Sequence, residues 1–258
     1  MPKDNVPLFE VFGPVMIGPS SSHTAGVARI AWLARKMFNS APVKVIIRFY
    51  GSLAATWKGH GSADAAVAGL LGISPEDEDL FHGREKLKAL KEKGLGFAEE
   101  IVPMPDMPSF WHPNTLVLEL FDKESPTPQL SIRAASIGGG SICVNEINGY
   151  KVSLSGEQQA VLVLHRDEIG VIAGVTNILA SNAINIAATS SHRKEKGEEA
   201  LLVVEIDGAI SASAISEMEA LPQVLCTIRS EDCLGIPDTA SVITICLVCI
   251  QLMFLWTW

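Results

Sequence analysis

Residues 159–229 read QAVLVLHRDEIGVIAGVTNILASNAINIAATSSHRKEKGEEALLVVEIDGAISASAISEMEALPQVLCTIR, and this stretch decides the fold of the second half of the chain. Short runs of apolar, often β-branched residues predict strands, and apolar residues at helical spacing predict helices between them. In chain order, we predict a strand at 160–164, a helix at 170–181, strands at 184–192 and 200–206, a helix at 211–221 and a strand at 223–229. The order β-α-β-β-α-β is typical of a split βαβ domain.

The residues before this stretch predict a second unit of helices and strands. Strands are predicted at 43–50, 115–121, 130–137, 141–147 and 150–155, and helices at 65–71 and 83–93. Asn148-Gly149 separates the last two strands and is a strong signal for a two-residue hairpin turn. Prolines between 103 and 113 predict a loop there. We therefore expect a mixed α+β chain with domains at 1–157 and 158–231, joined at Gly156-Glu157-Gln158, and an apolar tail at 232–258.

Residues 18–26, GPSSSHTAG, place four hydroxyls and one imidazole on five consecutive positions. A helix is predicted to follow directly, because apolar residues share one face: Val27, Ile30, Ala31, Ala34, Met37 and Phe38. The cluster then lies at a helix N-terminus, where free backbone N–H groups and the helix dipole favour an anion. We expect a small carboxylate to bind there. The structural alternative is that one serine caps the helix and the others are loop residues.

Three histidines, His23, His60 and His112, lie in separate loops marked by glycine or proline. A zinc site made from them is conceivable, but no pair has the His-x3-His spacing of ligands on one helix. His60 and Asp64 are four positions apart, so on one helix the carboxylate would contact and orient the imidazole. The alternative is that His60 is an exposed loop histidine. No Gly-x-Ser-x-Gly surrounds any serine, so a nucleophile-elbow hydrolase is not supported.

Two further loops are candidates for ligand binding. Gly138-Gly139-Gly140 interrupts a strand pattern without opening a helix, which indicates a bend in a sheet or close backbone approach to a ligand. Residues 165–170 precede a predicted helix, where Asp167 and Gly170 could hold the charged ends of an amino acid. The alternative is an ordinary connection in which Asp167 caps the helix.

Composition narrows the class of protein. A net charge of −9 without any basic run argues against a nucleic-acid partner. The five cysteines form neither a disulfide framework nor a four-ligand zinc pattern. The N-terminus carries no signal-peptide pattern, so we expect a cytoplasmic protein.

The tail stands apart from the rest of the sequence. Residues 239–258 carry no charge and are long enough to cross a bilayer as a helix, but no Lys/Arg cluster flanks them. An added helix, or a tail not native to the gene, is the alternative.

Several of these motifs together resemble one known family. The motifs are Gly18-Pro19-Ser20-Ser21-Ser22-His23-Thr24, Gly51-Ser52-Leu53-Ala54 with Gly59-His60-Gly61, His112-Pro113-Asn114 and Gly138-Gly139-Gly140. Between about residues 11 and 154 the chain resembles the β chain of the two-chain, iron–sulfur-dependent bacterial L-serine dehydratase. Residues 159–229 resemble an ACT domain, a ferredoxin-like regulatory module that commonly binds amino acids. The apolar tail has no counterpart in this resemblance.

The resemblance implies a reaction in which L-serine loses water and then ammonia to give pyruvate. Family members use a 4Fe–4S cluster, whose open iron acts as a Lewis acid on the serine hydroxyl and whose cysteines belong to an α chain. Cys143 stands alone in the matched region, which agrees with ligation by the partner. We therefore expect no metal ligands in this chain, and no activity without the α subunit.

The resemblance also implies roles for individual residues. The hydroxyls of Ser20, Ser21, Ser22 and Thr24 would hold the serine carboxylate, with His23 as first candidate for the base and His60 as second. Substrate contacts would also come from His112, Asn114, Gly138, Gly139 and Gly140, and an amino-acid effector would bind at Asp167 and Gly170. The alternative is a non-catalytic amino-acid-sensing module, because the first domain also resembles allosteric substrate-binding domains of some dehydrogenases.

Overall fold

The computed structural model describes residues 18–38, 40–122, 125–155 and 158–229. The chain divides into two compact units, of which the first ends at Asn145 and the second begins at Glu146. The domain boundary predicted after residue 157 stays a prediction, because residues 156 and 157 lie outside the described ranges. The predicted tail at 232–258 also lies outside the described residues.

The first unit begins with a π-helical turn, Ser21–Ala25, that continues directly into helix α1, Gly26–Met37. The elements that follow are β1 (Lys44–Tyr50), α2 (Gly51–Thr56), α3 (Ser62–Leu70), a 3₁₀ turn (Glu78–His82), α4 (Gly83–Lys91), β2 (Ala98–Met104), β3 (Thr115–Phe121), β4 (Leu130–Gly138) and β5 (Ser141–Ile147). The mixed sheet has six strands, in which those named so far lie in the order β2-β1-β3-β4-β5. Strand β1 is parallel to β2 and antiparallel to β3. The parallel pair needs a long crossover, and α2, α3 and α4 supply it.

The core of the first unit lies between this sheet and its helices. All six residues predicted on the apolar face of α1 are buried, which confirms the helix: Val27, Ile30, Ala31, Ala34, Met37 and Phe38. Small residues let α1 approach α3, where Ala28, Ala65 and Ala68 surround Leu80. The π-helical turn packs against α3 and β4. Packing therefore fixes the position of the serine and histidine cluster.

Two local features differ from the sequence prediction. Helix α2 was not predicted, because its six residues are too few to show helical periodicity. Strand β2 was not predicted either, and the loop predicted between 103 and 113 begins too early, since Pro103 lies within β2. Strand β2 is at the edge of the described sheet and Pro103 is exposed, which is where a strand tolerates proline.

The second unit contains the predicted β-α-β-β-α-β order. Strand β6 (Tyr150–Leu154) precedes this order, which consists of β7 (Gln159–Arg166), α5 (Val171–Ser181), β8 (Asn185–Arg193), β9 (Glu199–Asp207), α6 (Ala212–Glu219) and β10 (Val224–Arg229). Strands β7 to β10 form an antiparallel sheet in the order β10-β7-β9-β8, which confirms the ferredoxin-like prediction. Asn148 and Gly149, just before β6, have φ of 49° and 82°, and the positive φ at both positions is what a type I′ turn requires, in agreement with the predicted two-residue hairpin turn.

One face of this second sheet is covered by α5 and α6. The buried core combines Val161 and Val163 of β7 with Val175 and Leu179 of α5 and with Met218 of α6. In the parts of the chain that the structure describes, no helix is long and apolar enough to cross a membrane.

Candidate functional site

Ser20 caps the helix that carries the polar cluster. Its backbone is extended, with φ −147° and ψ 124°, and its Oγ accepts a hydrogen bond of 3.0 Å from the backbone N–H of His23. The capping alternative is thus confirmed for this one serine. Ser21 and Ser22 follow in the π-helical turn with half-buried side chains. A π turn is wider than an α turn and occurs often at functional sites.

Thr24 joins the two segments that carry histidines. Its side chain is completely buried, and its Oγ1 donates a hydrogen bond of 2.8 Å to the backbone carbonyl of His60. The hydroxyl is therefore already used, and a direct contact with a substrate would require this bond to break. In the described conformation, Thr24 holds the π-helical turn against the segment before α3.

His23 lies at the centre of the cluster. Its Nδ1 is 3.3 Å from the Oγ of Ser20, and its Nε2 is 3.2 Å from the Oγ of Ser52. Its ring stacks on that of His60, with the ring centroids 5.0 Å apart and the planes 18° from parallel. Both nitrogens of His23 are thereby in contact with hydroxyls, and one ring face is covered by a second imidazole.

The surroundings of His23 favour the neutral imidazole. Burial lowers its pKa below the ordinary value, and the nearby imidazole of His60 lowers it further, while a hydrogen bond with the Asn114 side chain acts in the opposite direction. A neutral imidazole at physiological pH is able to accept a proton. His23 thus has the protonation state that a general base needs.

Ser52 and Asn114 form the wall of the site on the Nε2 side of His23. Gly51 has φ of +54°, and a Cβ there would lie 2.6 Å from the carbonyl oxygen of Pro113. Glycine thus lets the backbone N–H of Ser52 donate to that carbonyl at 2.9 Å. The Oγ of Ser52 donates to Oδ1 of Asn114, whose Nδ2 donates to the carbonyl of Ser136 at 3.3 Å.

Of the two alternatives for His60, the pairing with Asp64 does not form, because the two residues do not share a helix. Gly61, in the left-handed conformation, is the N-cap of α3, so His60 lies before the helix that carries Asp64. Both carboxylate oxygens of Asp64 accept hydrogen bonds from Arg84, at 2.8 and 2.9 Å. The Nδ1 of His60 is buried and has no hydrogen-bond partner among the described residues.

His112 shapes its own loop. Its side chain is exposed, and its Nδ1 accepts a hydrogen bond of 3.1 Å from the backbone N–H of Asn114. Its backbone carbonyl accepts from the hydroxyl of Thr115 at 2.7 Å. The structure therefore brings together Ser20, His23, Ser52, His60 and Asn114, and His112 holds the backbone of Asn114 by the hydrogen bond to its N–H.

Among the described residues, no group of three or more His, Cys, Asp or Glu is placed to hold a metal ion.

The three consecutive glycines form the bend between β4 and β5. Gly138, Gly139 and Gly140 have φ of 102°, 59° and 80°, a conformation that other residues rarely adopt. The carbonyl of Gly140 accepts a hydrogen bond of 3.4 Å from Arg29 on α1. This geometry agrees with the bend, and contact of these glycines with a ligand stays a prediction.

In the second unit, Asp167 does not cap a helix. Gly170, with φ of 95°, is the N-cap of α5. The carboxylate of Asp167 accepts hydrogen bonds from the backbone N–H of Gly197 at 3.0 Å and from Arg193 at 2.8 Å. These two partners, Gly197 first, lower the pKa of Asp167. The predicted effector contact at Asp167 and Gly170 stays a prediction.

Sequence reasoning missed two residues of the site, Ser52 and Ser136. Ser52 belongs to the motif Gly51-Ser52-Leu53-Ala54 and lies just after the predicted strand 43–50. This position could have marked Ser52 as a candidate site residue, because functional groups collect at the ends of strands. Ser136 has no comparable signal, since it reads as an ordinary strand residue. Its Oγ is buried without a hydrogen-bond partner in the described part of the chain.

Comparison with known proteins identifies a family for each half of the chain. The family model described as "Serine dehydratase beta chain" matches residues 7–147, and the model described as "AHAS small subunit-like ACT domain" matches residues 161–226. The "Probable L-serine dehydratase, beta chain" of Bacillus subtilis is 40% identical over 221 residues, which cover 84% of this chain and 94% of that protein. The "L-serine dehydratase, beta chain" of Peptoniphilus asaccharolyticus is 33% identical over 205 residues, covering 80% and 89%.

The fold and these matches define a two-domain protein with a C-terminal ACT domain. The chain belongs to the serine dehydratase β-chain family, whose members are subunits of an ammonia-lyase. The resemblance found from the motifs is therefore confirmed. Membership of a β-chain family implies an α-chain partner. A "D-3-phosphoglycerate dehydrogenase" of Bacillus subtilis is also similar, at 28% identity over 52% of this chain and 24% of that protein.

Proposed function

We propose that this chain supplies the substrate-binding and proton-transferring side chains of an L-serine dehydratase that is complete only with an α chain. The observation that carries the proposal is the convergence of His23, Ser20, Ser52 and Asn114 at the start of α1. These residues come from three separate segments. The π-helical turn, the β1–α2 junction and the loop before β3 meet at one imidazole.

The serine carboxylate is proposed to bind at the π-helical turn. The hydroxyls of Ser21 and Ser22 and the first backbone N–H groups of the helix would donate to it, and the positive end of the helix dipole favours its charge. Such donors matter most if negative charge grows on the carboxylate as the Cα proton leaves. One well-aimed donor can contribute about 3–4 kcal/mol.

His23 is proposed to take the Cα proton. Burial and the neighbouring His60 hold the pKa of His23 below its ordinary value, so the imidazole is neutral near physiological pH. A positioned base typically contributes about 10²–10⁴-fold to a rate. His60 stays the second candidate, because its Nδ1 is buried without a hydrogen-bond partner among the described residues. Thr24 would then act through the backbone of His60 rather than on the substrate.

The iron–sulfur cluster that the resemblance implies does not fit the described residues of this chain. The cysteines among them are Cys143 and Cys226, which lie in different units, whereas a 4Fe–4S cluster takes three or four spaced cysteine ligands. We therefore propose that the α chain ligates the cluster. The part of this chain is to bind and orient L-serine and to move a proton.

The ACT domain is proposed to bind an amino-acid effector near the loop between β7 and α5. At Gly170, an added Cβ would meet no atom within 4 Å, so the N-terminus of α5 is open on that side. Asp167 lies in the same loop with its charge balanced by Arg193. Calorimetric titration of the full chain with single amino acids would identify the effector.

The second candidate function is amino-acid sensing without chemistry. The similarity to a phosphoglycerate dehydrogenase over about half of this chain favours it.

One experiment distinguishes the two candidate functions, the reconstitution of this chain with a dehydratase α chain under anaerobic conditions. The mixture is expected to form pyruvate from L-serine while each chain alone does not. Tight binding of L-serine by the isolated chain, with no turnover in the mixture, would instead support sensing.

A further inference from the structure

The hydroxyl of Ser52 lies between His23 and Asn114. We propose that Ser52 is a positioning residue that holds His23 in the tautomer protonated on Nε2, so that Nδ1, facing Ser20, is the nitrogen that accepts the substrate proton. The proposal rests on the proposed role of His23 as base, and it adds which nitrogen acts and what selects it.

The backbone of Ser136 orients the Asn114 amide. The carbonyl oxygen of Ser136 is an acceptor only, and it lies 3.3 Å from Nδ2 of Asn114. The amide must therefore turn its N–H group toward Ser136, because the opposite orientation would bring two acceptors together. A second hydrogen bond, from the backbone N–H of Ser136 to the carbonyl of Asn114 at 3.0 Å, fixes the two segments. Oδ1 of Asn114 is thereby directed at Ser52.

The single hydroxyl hydrogen of Ser52 can be donated to only one of its neighbours at a time. Its Oγ contacts Oδ1 of Asn114 and, at 3.3 Å, the carbonyl oxygen of Pro113, and both are acceptors only. The shorter contact is with Asn114, so the hydrogen points there. Ser52 has no second hydrogen for His23, and its Oγ is left as an acceptor toward that ring.

The tautomer of His23 follows from this direction. Nε2 lies 3.2 Å from the Oγ of Ser52, which accepts, so Nε2 carries the hydrogen. In the neutral ring Nδ1 is then unprotonated. The surroundings of Nδ1 agree, because the Oγ of Ser20 already accepts the backbone N–H of His23 and keeps its own hydrogen to donate to Nδ1 at 3.3 Å.

The consequence is a direction for proton transfer. The basic lone pair of His23 lies on the side of Ser20, next to the turn where the substrate carboxylate is proposed to bind. The Ser20 hydroxyl has to release its hydrogen bond to Nδ1 before this lone pair accepts a proton. When the Cα–H bond breaks, its electron pair stays on carbon and the proton bonds to Nδ1. The positive charge on the ring is then stabilised through Nε2–H, Ser52 and Asn114, a hydrogen-bonded chain that ends on the backbone of Ser136.

The test is the tautomer itself, measured by long-range ¹H–¹⁵N correlation on the full chain labelled with ¹⁵N-histidine. The His23 signals are assigned by their loss in His23→Gln. Near neutral pH, Nε2 is expected at the shift of a protonated nitrogen and Nδ1 at that of an unprotonated one. The reverse pattern in the unmodified chain would overturn the proposal, and this measurement needs no other variant to fold.

Ser52 variants test what selects the tautomer. Ser52→Ala removes the acceptor and is expected to give a mixture of both tautomers, whereas Ser52→Thr keeps the hydroxyl and restores the single form. Ser213→Ala, at an exposed serine of α6, is the matched control and leaves the spectrum unchanged. If Ser52→Ala does not fold, Ser52→Cys, a weaker acceptor of similar size, takes its place. A single Nε2–H tautomer in Ser52→Ala, or in Ser52→Cys where that takes its place, would show that Ser52 does not select it.

Activity gives a separate readout. In the reconstituted complex, Ser52→Ala is expected to lower kcat by about 10–100-fold, as loss of a group that orients a functional histidine commonly does, and Ser52→Thr to recover it. An unmodified complex without any turnover would contradict the proposed function but leave the tautomer measurement intact. The two failures are therefore distinguishable.

Discussion

The imidazole rings of His23 and His60 stack with their centroids 5.0 Å apart and their planes 18° from parallel. Two rings in this arrangement resist being protonated together, because like charges repel at close range. His60 is accordingly one of the causes, after burial, that lower the pKa of His23. The stack thus adds to burial in keeping the proposed base neutral.

Replacing His60 tests this coupling. His60→Gln removes the neighbouring imidazole, so the pKa of His23 is expected to rise, while burial still holds it below the ordinary value. NMR titration of the His23 ring measures this directly. The acid limb of kcat/KM in the reconstituted complex moves to higher pH, since the base is then protonated earlier as pH falls. A His23 pKa that stays the same or falls would show that the stack has no electrostatic role.

The ion pair of Asp64 and Arg84 is expected to stabilise the fold without serving the site. Asp64→Asn removes a two-bond contact that is partly exposed, and it should lower the free energy of unfolding by about 0.5–1 kcal/mol. We expect kcat to be unchanged, because Asp64 does not contact His60. Urea denaturation and turnover are measured together, with Glu76→Gln as the exposed acidic control. A large loss of kcat at normal stability would revive the paired His60–Asp64 interpretation.

Close packing at Gly26 is expected to be needed for the start of α1. A Cβ at this position would lie 1.9 Å from the Oγ and 2.7 Å from the Cβ of Ser136. Gly26→Ala should therefore cost about 1–3 kcal/mol of stability, as overpacking commonly does. Adding Ser136→Gly removes both clashing atoms and should recover part of the loss. Additive effects of the two changes in a double-mutant cycle would contradict this contact.

Asp167 is expected to order the turn between β8 and β9. Asp167→Asn weakens its hydrogen bonds with Arg193 and with the backbone N–H of Gly197. Amide exchange at Gly197 should therefore become faster, with little change in the strand interiors of β7 and β9. Glu168→Gln, at the exposed neighbouring position, is the control. Unchanged exchange at Gly197 would show that the carboxylate does not hold this turn.

How much could be predicted depended on the range of the interactions involved. The helix after Ser20 and the strands of the second unit follow from periodicity and caps within a few residues, and both predictions were confirmed. The hydrogen bond between His23 and Ser52 spans 29 positions, and that between Ser52 and Asn114 spans 62. No local pattern encodes such contacts. For His60 and Asp64, by contrast, a local pattern suggests a contact that the structure does not contain. A spacing of four residues brings two side chains together only when both lie on one helix. Gly61 is the N-cap of the helix that carries Asp64, so His60 lies outside that helix.

The most direct test of the account is the turnover of a reconstituted complex that carries His23→Ala. The account predicts that kcat for L-serine falls by about 10²–10⁴-fold while the complex with the α chain elutes at its normal size. His82→Ala, at an exposed histidine paired with Glu85, serves as the matched control and should keep normal activity. Near-normal turnover in the His23→Ala complex would contradict the central claim that His23 is the base.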